Sequence, residues 1–166
     1  MIKICRLHGI VDENMYMKLQ AAIESMRSTL TRKLLLHIYS IGGQNEWAMK
    51  IHTLLYVCKK EYGIETYAIG YKTVHSAALI IYLSCAIRIA YKETLFLIHT
   101  VKPMIGEKLS DVLDAEKQTF EYFSEVTTID VSTFYSMARA TTYLTHDEAR
   151  KYNIVNFDYK KGLLNY

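Results

Sequence analysis

The stretch KLLLHIYS (Lys33–Ser40) is apolar at nearly every position and stops at the pair Gly42-Gly43. An extended segment of that kind needs cover on both faces, which a mostly parallel sheet in an α/β protein provides and a one-sided antiparallel sheet does not. IETYAIG (Ile64–Gly70) and TLFLIHT (Thr94–Thr100) have the same character, and IKICRL (Ile2–Leu7) and IRIAY (Ile87–Tyr91) are shorter strands. Between them the apolar period becomes helical. Met15, Leu19, Ile23 and Met26 share one face behind an Asp12 cap. Trp47, Ile51, Leu54, Leu55 and Cys58 share another between Glu46 and about Lys60, where Gly63 ends the helix. Further helices are expected from Ser76, from Lys108 to about Val126, from Asp130 to Ala140 and from Thr145 to Tyr152, with a short strand IVNF (154–157) after them. Strands alternating with helices in this order predict an α/β fold.

The length of 166 residues suits one domain, 1–166, without staples. Composition is that of a soluble globular protein, 51% hydrophobic and 22% charged. The net charge of +3 is dispersed, with no basic run to favour nucleic acid or an anionic membrane surface. The longest apolar stretch, Ala77 to Ile87, is interrupted by Ser84 and followed by Arg88, and falls short of the roughly 18 residues a membrane span needs. MIKICRLHGI has no apolar core of signal-peptide length. Cys5, Cys58 and Cys85 are far apart within apolar segments, so reduced, buried thiols and a cytoplasmic location are expected. No metal spacing and no cofactor motif occurs, so none is expected.

In sheets of this type, sites gather where strands give way to loops and helix starts. Three segments qualify. In GYKTVHSAALIIYLSC (70–85), Ser76 opens an apolar helix. Its plainest role is an N-cap, yet the same position puts a hydroxyl beside unpaired backbone N–H groups that would stabilise an oxyanion. The surroundings are not GxSxG, so no α/β-hydrolase elbow is implied. His99 ends the strand LFLIH, where a histidine is either a solvated boundary residue or a general base for a serine. His8, His37, His52, His75 and His146 compete for that role. His37 in mid-strand and His52 in mid-helix suit packing or the surface, and His75, next to Ser76, would at most face the substrate. Finally, SIGG (40–43) turns out of a strand with two glycines that let a backbone N–H approach a ligand.

Together and in this order, these segments resemble the Clp protease proteolytic subunit. LLLHIYSIGG…MKIHTLL resembles the family's strand–SPGG–helix segment, and HSAALIIYLSCAIRIAY its nucleophile helix, with the motif A-S-M-G-A. TLFLIHT matches its M-I-H strand, and YLTHDEARKYNIVN its F-L-S-x-x-E-A-x-x-Y-G-L-V-D close. The resemblance covers nearly the whole chain. It implies a spiral of ββα units, shared with crotonases, and a helical handle over about residues 106–127. It also implies serine endopeptidase activity in the cytoplasm of a bacterium, or expressed there by a phage. Ser76 would be the nucleophile and His99 its base, and the N–H groups of Gly43 and Ala77 would form the oxyanion hole. Peptides or unfolded proteins would be the substrates, with apolar residues favoured before the cut bond. A homo-oligomeric ring of roughly six or seven subunits, fed by an ATP-driven unfoldase, would enclose the sites, with contacts around Trp47, Met49 and Leu54 and along the handle at Phe120, Tyr122 and Phe123.

The departures carry expectations of their own. Isoleucine replaces the proline of SPGG, and two extra residues between Gly70 and Ser76 predict an altered turn into the serine. The chain starts in its first strand, without the family's axial loop, and lacks the glycine-rich strand before the handle, so unfoldase coupling and ring stacking are expected to differ. At the position of the family's aspartate stands Thr141. Asp130 and Asp147 are the nearest acids in sequence, and helical spacing brings neither to the same place. Two alternatives follow: a catalytically weak or inactive assembly subunit, and a crotonase-type acyl-thioester enzyme with a paired-amide oxyanion hole and no serine nucleophile.

Overall fold

In the computed structural model, residues 1–103 and 105–158 are described, so the end of the expected 1–166 domain, 159–166, lies outside the described residues. β1 (Lys3–Val11), β2 (Lys33–Gly43) and β3 (Glu65–His75) run parallel, and each leads into a helix: α1 (Glu13–Arg27), α2 (Asn45–Tyr62) and α3 (Ala77–Leu83). β3 then serves two neighbours. Its stretch Tyr67–Gly70 pairs with β4 (Ile87–Ala90), and Thr73–His75 pairs with β5 (Leu95–Ile98), both parallel. β6 (Thr142–Leu144) adds antiparallel to β5, closing a six-stranded sheet ordered β1-β2-β3-β5-β6 with β4 beside β3. The remaining helices are α4 (Leu109–Val126), α5 (Val131–Ala140) and α6 (His146–Lys151), of which α4 is the expected handle.

Local chemistry sets the helix starts. Asp12 accepts from the Met15 N–H at 3.0 Å, Asp130 accepts from the Thr133 N–H, and Thr145 with Glu148 forms a reciprocal capping box. Helices α1 to α3 bury the anticipated stripes, including Leu19, Ile23, Ile51 and Leu55, against one sheet face. The opposite face holds a small cluster of Leu35, Tyr67, Ile69 and Ile89, and leaves Ile10, Tyr39 and Ile41 exposed. Cover on both faces, expected from the strand composition, is therefore complete on one face only. Phe120 and Phe123, expected at subunit contacts, are core residues, and Trp47, Met49, Leu54 and Tyr122 pack half-buried against that core.

Arg88 joins the late elements. Its buried guanidinium donates to the carbonyls of Cys85, Val126, Asn153 and Ile154 at 2.8–3.1 Å, tying the ends of α3 and α4 to the chain after α6. The IVNF strand is not formed. The N–H groups of Ile154 and Val155 both donate to the Ala149 carbonyl, closing the end of α6, while those of Asn156 and Phe157 donate to Arg88. No ladder partner remains for them.

Candidate active site

β3 does not stop at Gly70 but continues to His75, and the two additional residues become a bulge. The β2–β3 register passes from Ile38↔Gly70 to Ser40↔Val74, two residues on one strand against four on the other. Lys72, at φ 56, takes up the excess in a left-handed conformation. No separate turn aims the serine. The strand edge does, because Thr73–His75 remains paired to β5 and the Ser76 N–H donates to the Leu97 carbonyl at 3.0 Å.

Ser76 itself sits at φ 55, ψ −125, a strained region for a residue with a side chain, where each such residue costs on the order of 1–3 kcal/mol. Its hydroxyl makes no capping bond to α3. The cap role, the plainest one for a serine here, is thus unused, and Ser76 lines a cavity together with Leu79, Ile80, His99, Glu116 and Phe120, among others. His99, half-buried just past β5, is the second reactive group on that cavity. Among the described residues no hydrogen bond joins it to Ser76, a common state for unliganded sites, where such bonds tighten only around substrate.

The end of β2 closes over the serine. A Cβ on Gly42 would fall 2.8 Å from the Ser76 Cβ and 3.3 Å from the Ala77 nitrogen, so only glycine permits this approach. A Cβ on Gly43 would fall 2.4 Å from the Val11 carbonyl oxygen, so β1 packs equally hard on the next residue. The Gly42 N–H is spent on Ser40 Oγ at 3.0 Å. Ala77 is the first residue of α3, where helical N–H groups have no partner within the helix.

Thr141 ends α5 in a left-handed conformation, φ 54, and is exposed. The β5–β6 register, Leu97↔Tyr143 and Ile98↔Thr142, stops one pair short of His99 and Thr141. The two residues thus flank the end of this ladder, although 42 residues separate them in the chain. The other two acids stay away. Asp130 caps α5 through Ser132 and Thr133, which hold its carboxyl well below the usual range, and Asp147 is pinned by Lys92 and His146, which hold it at about 2.

Of the remaining histidines, His75 lies nearest. Its ring meets Tyr143 edge-on at 5.6 Å, its Nε2 is buried without a partner, and burial together with the His99 charge pushes it below the ordinary imidazole value. His37 pairs with His8 at 2.8 Å on the exposed sheet face. His52 Nδ1 lies 2.8 Å from Ser84 Oγ, but that hydroxyl donates to the Ile80 carbonyl at 2.7 Å, so the imidazole is the donor and Ser84 is not activated.

Sequence reasoning missed Glu116. It lies on the inner face of α4 with Val112, Thr119, Phe120 and Phe123, is 5% exposed, and accepts from the Val101 N–H at 3.0 Å. The signal was present, since it interrupts an apolar stripe at helical spacing, but a single acid in such a stripe reads as the edge of a solvated face.

Comparison with known proteins bears on this arrangement. A search of curated protein sequences returned no match. Among solved structures, the chain is similar to an N165D mutant of ClpP1 from Listeria monocytogenes, with TM-score 0.86 and 19% identity over 96% of this chain and 92% of the other. ClpP1 from the same organism gives TM-score 0.79 and 20% identity, covering 94% and 90%. The ClpP protease catalytic domain from Plasmodium falciparum gives 0.81 and 18%, covering 97% and 87%. Identities this low speak for the fold. The family model for Clp protease, however, matches residues 2–157, nearly the whole chain, and on that match the chain belongs to the Clp protease family.

Proposed function

We propose that the chain is a serine peptidase acting on peptides or unfolded protein through a Ser76–His99 centre without the usual acid. The observation that carries this is the strained, uncapped Ser76 sharing one cavity with His99. In the first step His99 takes the Oγ proton as Ser76 attacks the scissile carbonyl carbon. The Gly43 and Ala77 N–H groups then stabilise the tetrahedral oxyanion, the Gly42 N–H being engaged by Ser40. Collapse breaks the C–N bond, and the proton on His99 passes to the leaving amine. Water then attacks the acyl-serine by the same route and returns the enzyme. No metal or organic cofactor takes part. Thr141, at the family's aspartate position, would offer a hydroxyl to orient the His99 ring but no charge to stabilise the imidazolium.

Membership of the Clp family and the exposed Ile10, Ile41, Leu109 and Leu113 support a homo-oligomeric ring, and light scattering that returned a monomer at micromolar concentration would remove it. An ATP-driven unfoldase is the partner such a ring implies. No described helix is long and apolar enough to cross a membrane, and a cytoplasmic location remains our inference from the buried, reduced cysteines. The absent acid favours a second reading, a subunit that assembles but does not cleave. The family match leaves the crotonase-type alternative without support. Incubation with a fluorophosphonate, followed by intact mass and peptide mapping, separates the first two: one adduct on Ser76, abolished in Ser76→Ala and in His99→Ala, is expected of the peptidase.

A further inference from the structure

His8 and His37 stand 29 residues apart in the chain, on β1 and β2. Side chains alternate along a strand. Cys5 and Leu7 therefore enter the core under the helices, while Arg6 and His8 stand on the opposite sheet face, next to His37 and Tyr39. The parallel register sets His8 against Tyr39 and Arg6 against His37, which leaves the two imidazoles on one diagonal. His8 Nε2 lies 2.8 Å from His37 Nδ1, and the ring centroids are 5.0 Å apart. Tyr71 and Tyr91 flank the half-buried His37 ring at 5.6 and 6.3 Å, and Tyr39 stands 5.9 Å from the exposed His8 ring. Neither histidine lines the cavity of Ser76 and His99.

We propose that His8 and His37 form a two-histidine site for a divalent transition ion, zinc first among them, which staples β1 to β2 on this face. The site stands independently of the role given to Ser76. Two neutral imidazoles at this distance share one proton, one ring donating and the other accepting. A metal takes the place of that proton. Imidazole suits Zn²⁺, Cu²⁺ and Ni²⁺, whereas Mg²⁺ prefers carboxylate and water oxygens. Bonds of about 2.0–2.1 Å at a tetrahedral angle hold two nitrogens about 3.3 Å apart, so the rings need separate by only about 0.5 Å as their lone pairs turn to one point. The donor ring shifts its proton to its other nitrogen, so both rings stay neutral and no proton is released. Burial is the main reason that both imidazoles lie below their ordinary value, helped by the charges of Lys18 and Arg6 at His8 and of His8 and Arg6 at His37. At pH 7 both are therefore in the neutral form that binds metal. The same two cations, Arg6 and Lys18, repel a dication and limit the affinity. Among the described residues no third histidine, cysteine or carboxylate joins the pair, so water completes the coordination.

The test is a calorimetric titration of the whole chain, stripped of metal with a chelator and dialysed, with zinc chloride alone at pH 7. One zinc per chain is expected, with a rise in melting temperature, since the ion binds only where the two strands are paired. His8→Gln should weaken binding at least about tenfold and remove the rise. Its zinc-free melting temperature should match that of the unmodified chain, because the His8 ring is exposed. His37→Gln should weaken binding to the same extent, and the double variant should lose little more, because either change already breaks the two-point grip. His99→Ala should bind zinc as the unmodified chain does, and magnesium chloride should give no binding heat. An unmodified chain that takes up no zinc overturns the proposal. So does zinc binding that survives His8→Gln, that vanishes in His99→Ala, or that magnesium matches.

Discussion

Ser76 keeps its unfavourable backbone because the surroundings leave it no other: its N–H is tied to Leu97, Gly42 lies against its Cβ, and α3 starts immediately after it. Strain held in this way at a reactive residue trades stability for placement. Replacing the serine by glycine, which suits positive φ, should then stabilise the fold by about 1 kcal/mol in urea unfolding while removing the proposed nucleophile. A loss of stability would mean that the serine side chain contributes packing that the half-buried position does not suggest. Thr141 is strained for a similar reason, being β-branched at φ 54, where aspartate and asparagine are better tolerated. An acid introduced there meets no backbone penalty. That Ser76 and His99 line one cavity agrees with the motif order read from the sequence, whereas the burial of Glu116 was missed because a single acid in an apolar stripe reads as the edge of a solvated face.

At the scale of elements, α1 and α2 were readable because each buries a single stripe of a long helix, and propensity, caps and period agree. β3 was cut short at Gly70 because Lys72 and Thr73 look like a loop; they are a bulge within a strand that changes partner midway. β6 is only three residues long and exists through its pairing with β5, which no local pattern announces. The single arginine at the start of β4 seemed an ordinary end to an apolar run, yet it is the hinge pin of the late elements. Arg88→Met should cost at least ~3 kcal/mol, since it strands four carbonyls, each of which loses about 1 kcal/mol or more when left unpaired away from water. A midpoint unchanged in denaturant would show that water replaces the guanidinium at those carbonyls.

For the molecule as a whole, the histidines set a pH response. His8, His37, His52 and His75 are all pushed below the ordinary imidazole value, burial being the largest cause in each. A group whose folded value is depressed leaves the unfolded chain holding more protons once the pH drops below the unfolded value, about 6.5 for histidine, so stability is full above that pH and declines beneath it. The melting temperature should therefore fall steadily from pH 7 to pH 5, and His52→Gln should flatten the slope; a Tm independent of pH across that range would contradict it. The exposed sheet edge and handle residues that suggest a ring belong to this scale as well, and a ring would raise the melting temperature with protein concentration. The account stands or falls, however, on whether Ser76 is a nucleophile served by a histidine that lacks its acid. The rate of fluorophosphonate labelling of Ser76, measured in the unmodified protein and in Thr141→Asp, tests this most directly. A full triad loses about 10⁴-fold without its acid, so labelling should be slow and Thr141→Asp should speed it at least tenfold, roughly 1.4 kcal/mol of barrier. Rapid labelling with no gain from Thr141→Asp would contradict the missing acid, and no labelling of either protein would contradict the nucleophile.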